Sequence, residues 1–258
     1  MVLWGLREKA GAHDWFGVAI ELAIVMLGVF LGIQASNWNA ARLDVQRGVE
    51  YRNRLIAELA NTERAMAASA AYYQDVHRHA LAALAALDQP EEALGTPFLV
   101  DAYQATQIFP RSANHSTWDE ILSSGNVELL GPAVLRERVA NYYWRTDGLM
   151  TLVAEPLRYR NALRSAMPYR VQAAIRANCD EILHDDGRGM VTPRLPSSCR
   201  LTIAPLTVSN AVAELRKMPD LRQDLNRLLV DLDSKLLQFG KVASGARELR
   251  AEIRRAAP

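Results

Sequence analysis

The first candidates for catalytic or metal chemistry are five histidines, His13, His77, His79, His115 and His184. His77 and His79 stand two positions apart, which places them on different faces of a helix, whereas a helical metal pair needs an i,i+4 spacing. His184 is followed by two aspartates in a polar turn. Because a bound metal needs three or four converging ligands, we expect no metal site.

Motifs of known catalytic chemistry are missing from the sequence. It contains no G-x-S-x-G, phosphate-binding loop, dinucleotide fingerprint or H-E-x-x-H. His115 is adjacent to Ser116 and close to Asp119, but neighbours in sequence do not make a catalytic triad, and these residues fit the start of a helix better. We therefore expect no enzymatic activity and no cofactor.

Two cysteines, Cys179 and Cys199, bracket a polar segment that contains glycines and prolines. This pattern predicts a surface loop closed by a disulfide, and disulfides persist in oxidising compartments. A closed loop of this size stabilises a domain by about 3 kcal/mol in the chain-entropy model. The alternative is two unrelated buried thiols.

Consecutive aromatic residues offer a candidate ligand site. Tyr142, Tyr143 and Trp144 adjoin one another, so one or two of them must face outward from a helix. One interpretation is a groove lined by Trp118, Tyr142 and Tyr143. The other is packing of the tyrosines against Trp118 in the core and at its rim.

The strongest signal is an apolar segment near the start of the chain. Residues 16–35 read FGVAIELAIVMLGVFLGIQA, with Glu21 as the one charge. Twenty helical residues span about 30 Å, the thickness of the bilayer hydrocarbon. Trp15 and Trp38 flank the segment as interfacial anchors. We predict a transmembrane helix over residues 15–37 after a tail at 1–14; a cleaved signal peptide and a buried helix are the alternatives.

One face of this helix carries its unusual residues. At 100° per residue, Glu21, Gly28 and Gly32 fall on one stripe, and the glycines form a G-x-x-x-G pattern. A carboxyl group facing lipid costs about 2.5–3.5 kcal/mol, so the stripe predicts association with a second copy or with another membrane protein. Alternatively, Glu21 reaches the lipid headgroups by itself.

The sequence gives conflicting signals about the side of the membrane on which the domain lies. Four arginines shortly after the apolar segment slightly favour a cytoplasmic domain. The paired cysteines and the short tail before the helix favour the opposite arrangement. We expect a bacterial inner-membrane protein with a cytoplasmic N-terminus and a periplasmic domain.

Composition predicts an all-α domain over residues 38–256. Alanine, leucine, glutamate and arginine dominate, and no proline interrupts residues 37–87. The transmembrane helix therefore continues into a long helix of an extramembrane bundle. It ends near Pro90, and a last long helix packs against it antiparallel. The net charge of +1 gives no basis for a nucleic-acid partner.

Two groups of motifs resemble a family of uncharacterised bacterial membrane-anchored proteins, a domain of unknown function. Residues 21–59 carry Glu21, then IVMLGVFLGIQASNWNAAR, then EYRNRLIAEL, similar to the family's Q-x-N-N-W-N-E ending and E-Y-x-x-x-L-x-x-E-L helix. Residues 118–126, WDEILSSGN, and Tyr142-Tyr143 are similar to a second family segment. Ser36 and Ala40 depart from the pattern, where the family often has asparagine and glutamate.

The resemblance covers parts of residues 15–145 and implies a single-span helical protein without a known activity. With the residue patterns, it leads to a membrane-anchored interaction, sensory or scaffold protein as the expected function. An accessory subunit that stabilises a larger membrane complex is the second hypothesis.

Overall fold

The longest element of the computed structural model is one uninterrupted helix, α1, over Trp15–Ala86. The structure describes residues 15–109, 113–154, 158–187 and 189–256, so the predicted tail at 1–14 lies outside the described residues. At 1.5 Å per residue, the 72 residues of α1 extend roughly 110 Å. Tightened turns at 87–89 end the helix before Pro90, because the residue before a proline disfavours the helical conformation.

Shorter helices and one hairpin follow α1. In chain order they are α2 (Thr96–Gln104), α3 (Ser116–Ser123), α4 (Ala133–Val153), α5 (Arg158–Ala166), α6 (Tyr169–Asn178), β1 (Ile182–Asp185), β2 (Val191–Arg194), α7 (Pro205–Arg216) and α8 (Leu221–Arg255). Single 3₁₀ turns occupy Glu91–Ala93 and Val127–Leu130. The fold is all-α, as predicted, and α1 carries the apolar segment directly into the bundle.

The hairpin inside the cysteine-bracketed segment was not predicted. Strands β1 and β2 pair antiparallel, with Ile182 opposite Arg194 and Asp185 opposite Val191. Glycines at 187 and 189 adopt positive φ in the connection, which other residues rarely do. The sequence signal was weak because Pro193 lies within β2, a position tolerated only at sheet edges.

The antiparallel partnership of α1 and α8 is confirmed. Polar side-chain contacts run along it in opposite chain directions: Glu63 with Arg247, His77 with Asp233, and Asp88, just beyond α1, with Arg222. The packed face of α8 includes the buried leucines Leu221, Leu225, Leu228 and Leu232. Leu237 of the same helix is 57% exposed, so not every leucine of α8 lies on the packed face.

Two hydrophobic cores lie along α1. The small core begins at Leu55 and joins α1 to α3, α4 and the end of α8 through eleven residues: Leu55, Leu59, Trp118, Ile121, Leu130, Leu135, Val139, Tyr143, Ala246, Leu249 and Ile253. The large core surrounds the C-terminal part of α1, from Met66 onward. It includes residues of α2, α5, α6, α7 and the rest of α8. The two cores therefore follow one another along α1.

The two ends of α3 are stabilised in different ways. Thr117 and Glu120 have the spacing of a capping box, but α3 begins at Ser116 and no side chain of its own caps it. Glu58 of α1 accepts the Thr117 N–H instead. At the other end, Gly125 has φ 70° and the next N–H bonds back to Ile121, which is a left-handed helix termination.

Gly48 is the first buried residue of α1 and marks where the bundle begins. A Cβ at this position would lie 2.5 Å from the backbone oxygen of Leu129. The same oxygen accepts a hydrogen bond from the Arg52 guanidinium at 3.1 Å. Glycine is needed here because the 127–130 turn lies directly against the helix backbone.

We predict that Gly48→Ala destabilises the bundle by about 1–3 kcal/mol, because overpacking outweighs the gain in helix propensity. Denaturant unfolding of the full chain in an uncharged detergent, followed by circular dichroism, measures this. The control is Gly240→Ala on α8, where an added Cβ meets nothing within 4 Å. That change should stabilise by up to about 1 kcal/mol. Equal stabilisation by both changes would contradict the close contact.

Candidate functional site

The first third of α1 is apolar and lies outside the bundle. Every large apolar side chain from Trp15 to Leu43 is exposed, and none of the most apolar stretch is buried. Such a surface is unusual, since water-exposed apolar patches of this size mark interaction or membrane sites. Within the described part of the chain, α1 is the one helix long and apolar enough to cross a bilayer.

The two predicted interfacial tryptophans bound this segment. Trp15 is 86% exposed and Trp38 is 69% exposed. An unbroken helix separates them by roughly 35 Å along its axis, a little more than the hydrocarbon thickness of a bilayer. Gly48 follows Trp38 by about 15 Å of helix, so the bundle begins a short distance beyond the second tryptophan.

The predicted association stripe is exposed and open. Added Cβ atoms at Gly28 and Gly32 would meet nothing within 4 Å, and the Glu21 side chain is on the exposed part of the helix. Because α1 is continuous here, the 100° periodicity that places the three residues on one face applies. Their role in helix association stays a prediction.

Within the bundle, the carboxylate of Glu58 connects the elements of the small core by hydrogen bonds. Tyr143 donates its hydroxyl to Glu58 at 2.5 Å, and the N–H of Thr117 donates to the second oxygen at 2.7 Å. The hydroxyl of Ser116 also lies at 3.4 Å. Glu58 is 4% exposed. Its charge is tolerated because it lies at the N-terminus of α3, where free N–H groups and the helix dipole favour an anion.

Sequence reasoning missed the role of Glu58, although a signal was present. Glu58 lies between Leu55 and Leu59 on the face of α1 that is buried. A carboxylate on an apolar face needs hydrogen-bond partners, and such a position predicts a polar contact with another element. The partner could not be identified because α3 is far away in sequence.

Two of the three residues predicted to line a groove lie in the small core instead. The rings of Trp118 and Tyr143 stack with centroids 5.4 Å apart, and both side chains are buried. For these two residues the structure agrees with the alternative interpretation, packing of the tyrosine against Trp118 in the core. Burial and the nearby Glu58 charge raise the pKa of Tyr143, so its hydroxyl remains a donor.

Tyr142 does line a groove, which lies between α4 and α8. It has a volume of about 410 Å³, and its polar lining includes Arg145, Lys241 and Glu248. The Tyr142 ring meets Tyr143 edge-on, and Gly245 provides the space beside it. Burial raises the pKa of Tyr142 to about 12.

The disulfide between Cys179 and Cys199 is present, with its Cα atoms 5.5 Å apart. It closes the segment that carries the hairpin. The hairpin is also held by Arg194, which binds Asp75 of α1 through two hydrogen bonds of 2.7 and 2.9 Å. Burial alone would raise the pKa of Asp75, but hydrogen bonds from Arg194 and Arg78 outweigh it and lower the pKa.

The histidines are placed in separate environments. His115 bonds Asp119 at 2.7 Å on an exposed turn, and Ser116 is directed to Glu58 rather than to His115. His79 is buried and contacts Asp101 at 2.7 Å and the carbonyl of Pro196 at 3.1 Å. Among the described residues, no group of three or more histidines, cysteines and acids could hold a metal ion.

Comparison of the chain with protein-family models, curated proteins and solved structures returns no match. The functional argument therefore rests on the exposed apolar segment and on the clusters described above.

We predict that Glu58→Ala destabilises the domain by about 2–4 kcal/mol, because the Thr117 N–H and the Tyr143 hydroxyl lose their acceptor in the core. Denaturant unfolding measures the loss, and Glu58→Gln, which keeps one acceptor oxygen, should lose less. The control is Glu50→Ala, an exposed position on the same helix, which should change stability by less than about 0.5 kcal/mol. Equal effects at both positions would contradict the role assigned to Glu58.

Proposed function

We propose that this chain is a single-pass protein of the bacterial inner membrane whose helical bundle acts as an interaction, sensory or scaffold module. The observation that carries the proposal is the apolar first third of α1, which is entirely unburied and is bounded by Trp15 and Trp38. A bilayer is the environment that best covers a helix with this length and composition.

The continuity of α1 supports a link between membrane and bundle. The apolar segment and the α1 residues that enter both cores, among them Leu55, Leu59 and Met66, belong to one helix. A rotation or shift of the membrane segment would therefore be transmitted directly to Gly48 and Glu58, since no flexible connection intervenes. The Glu21, Gly28 and Gly32 stripe is the surface proposed to meet a second copy or another membrane protein.

The accessory-subunit function is the second candidate. It is favoured by Glu21, because a carboxyl group within the hydrocarbon is best satisfied by a polar group on a partner helix. In this case a different membrane protein, rather than a second copy, would cover the stripe.

We expect Gly28→Leu with Gly32→Leu to reduce association several-fold in membranes, because bulky side chains keep the helix backbones apart. Crosslinking of tagged protein in native membranes measures this. The matched control is Ala19→Leu with Ala23→Leu, the same spacing on the opposite, exposed face. Loss of a crosslink between identical chains supports self-association; loss of a crosslink to one other protein supports the accessory subunit. Unchanged crosslinking would contradict the role of the stripe.

The domain is proposed to lie in the periplasm with the N-terminus in the cytoplasm. The disulfide is compatible with an oxidising compartment, and it outweighs the small excess of arginines after the membrane segment.

Alkaline phosphatase fused to the C-terminus should be active in cells, because that enzyme folds only when exported. In the same cells, Cys179 and Cys199 should resist thiol labelling until a reductant is added. An inactive fusion together with freely labelled cysteines would place the domain in the cytoplasm.

A further inference from the structure

Three arginines from two helices meet beside the end of α2. Arg160 and Arg164 lie one turn apart on α5, and Arg176 lies on α6. Two pairs of contacts bring them together. Arg160 and Arg164 both donate to Thr106, to its carbonyl and its hydroxyl respectively. Arg164 lies over the ring of Tyr103 at 4.8 Å, and Arg176 donates to the hydroxyl of the same tyrosine at 3.4 Å.

The acceptors of these arginines are neutral. Beyond Thr106 and Tyr103, Arg164 donates to the amide oxygen of Gln107 at 3.1 Å. Among the described residues, no carboxylate lies within ion-pair distance of any of the three guanidinium groups. Most arginines elsewhere on the described surface have such a partner, among them Arg54, Arg64, Arg138, Arg194 and Arg247.

The cluster carries an excess of positive charge in a partly buried place. Burial, together with the charges of Arg160 and Arg176, lowers the pKa of Arg164 despite a favourable effect of Tyr103. Glu181 is an acid near the cluster, since it shares Tyr72 as a neighbour with Arg160, and the Tyr72 hydroxyl donates to it at 2.5 Å.

Stabilisation of the α2 C-terminus accounts for only part of this arrangement. Cations at the end of a helix are favourable, and Arg160 donates to a backbone carbonyl just beyond α2. Arg164 and Arg176 contact side chains instead. Each guanidinium has five N–H donors, and the contacts with Thr106, Gln107 and Tyr103 use one of Arg160, two of Arg164 and one of Arg176. Arg176 also lies over the ring of Tyr169, at 5.6 Å.

We propose that Arg160, Arg164 and Arg176 form a binding site for a small molecule that carries a carboxylate or phosphate group. The planar guanidinium fork matches both groups through paired hydrogen bonds, and partial burial strengthens those bonds. The ligand would supply the negative charge that the described protein groups around the three arginines do not provide. The site goes beyond the proposed membrane role and does not depend on it.

Hydrogen bonds beside the disulfide tie α6 to the end of α2. Cys179 directly follows α6, and its carbonyl accepts a hydrogen bond of 2.7 Å from Gln104 at the end of α2. Gln107 in turn donates to Gln104 at 3.2 Å. The helix that carries Arg176 is thereby tied to the segment that positions Arg164. A site held in place before binding loses less entropy when the ligand arrives.

Isothermal titration calorimetry tests the proposal on the full chain in an uncharged detergent, at constant ionic strength. Inorganic phosphate and succinate are titrated separately, and the tighter of the two identifies the preferred anion. The test variant is Arg160→Gln with Arg176→Gln. The matched control is Arg170→Gln, an exposed arginine on α6 outside the cluster. Arg176→Gln alone serves as a second variant, because this side chain is exposed and its loss should leave folding intact.

We expect saturable binding of at least one anion, weakened roughly tenfold or more by the double replacement and unchanged by Arg170→Gln. Arg176→Gln alone should weaken binding in the same direction, with an unchanged melting curve. The proposal is overturned if neither anion binds saturably, if both cluster variants bind as tightly as the original chain, or if Arg170→Gln weakens binding equally.

Discussion

The packing of α8 against the C-terminal part of α1 is the constraint on which the other elements depend. Both helices are long, run antiparallel and contribute residues to both cores. An isolated helix gains little stability from its own hydrogen bonds, so each part of α1 depends on what surrounds it. The surroundings of the exposed apolar part differ from those of the packed part. The packed part is stabilised by α8, and the short helices then cover what the pair leaves exposed.

Buried polar groups of α1 determine where the short elements attach. Glu58 binds the start of α3, Asp75 binds β2, and His79 binds α2 and the segment after the hairpin. Each of these side chains is nearly inaccessible to water. A buried charge or imidazole without a partner is strongly unfavourable, so these contacts favour one arrangement over other equally apolar ones. Glu58, Trp118 and Tyr143 illustrate this, since they lie far apart in sequence and meet in a single cluster.

The proposed functions occupy distant parts of the molecule. The membrane segment and its stripe lie at the start of α1, whereas the arginine cluster lies beside Tyr72, roughly 36 Å of helix beyond Gly48. The same helix connects the two parts without a break. An anion bound at the cluster would contact α5 and α6, which pack in the large core against α1 and α8. In a sensory role, the effect of anion binding would reach the membrane segment through packed helices rather than through a loop.

The sequence by itself determined the properties that depend on local patterns. The apolar segment, the absence of proline up to Pro90 and the helical composition each act locally along the chain, so α1, its end before Pro90 and a last long helix were predictable. The cysteine spacing was enough to predict the disulfide. Only the tertiary structure decided which residues meet across long separations. Only tertiary packing brings together Glu58 with Thr117, Gly48 with Leu129, Trp118 with Tyr143, and the three arginines around Tyr103 and Thr106, because these residues lie on different elements of the chain. A one-dimensional pattern shows that a face is buried or charged, but not which surface will cover it.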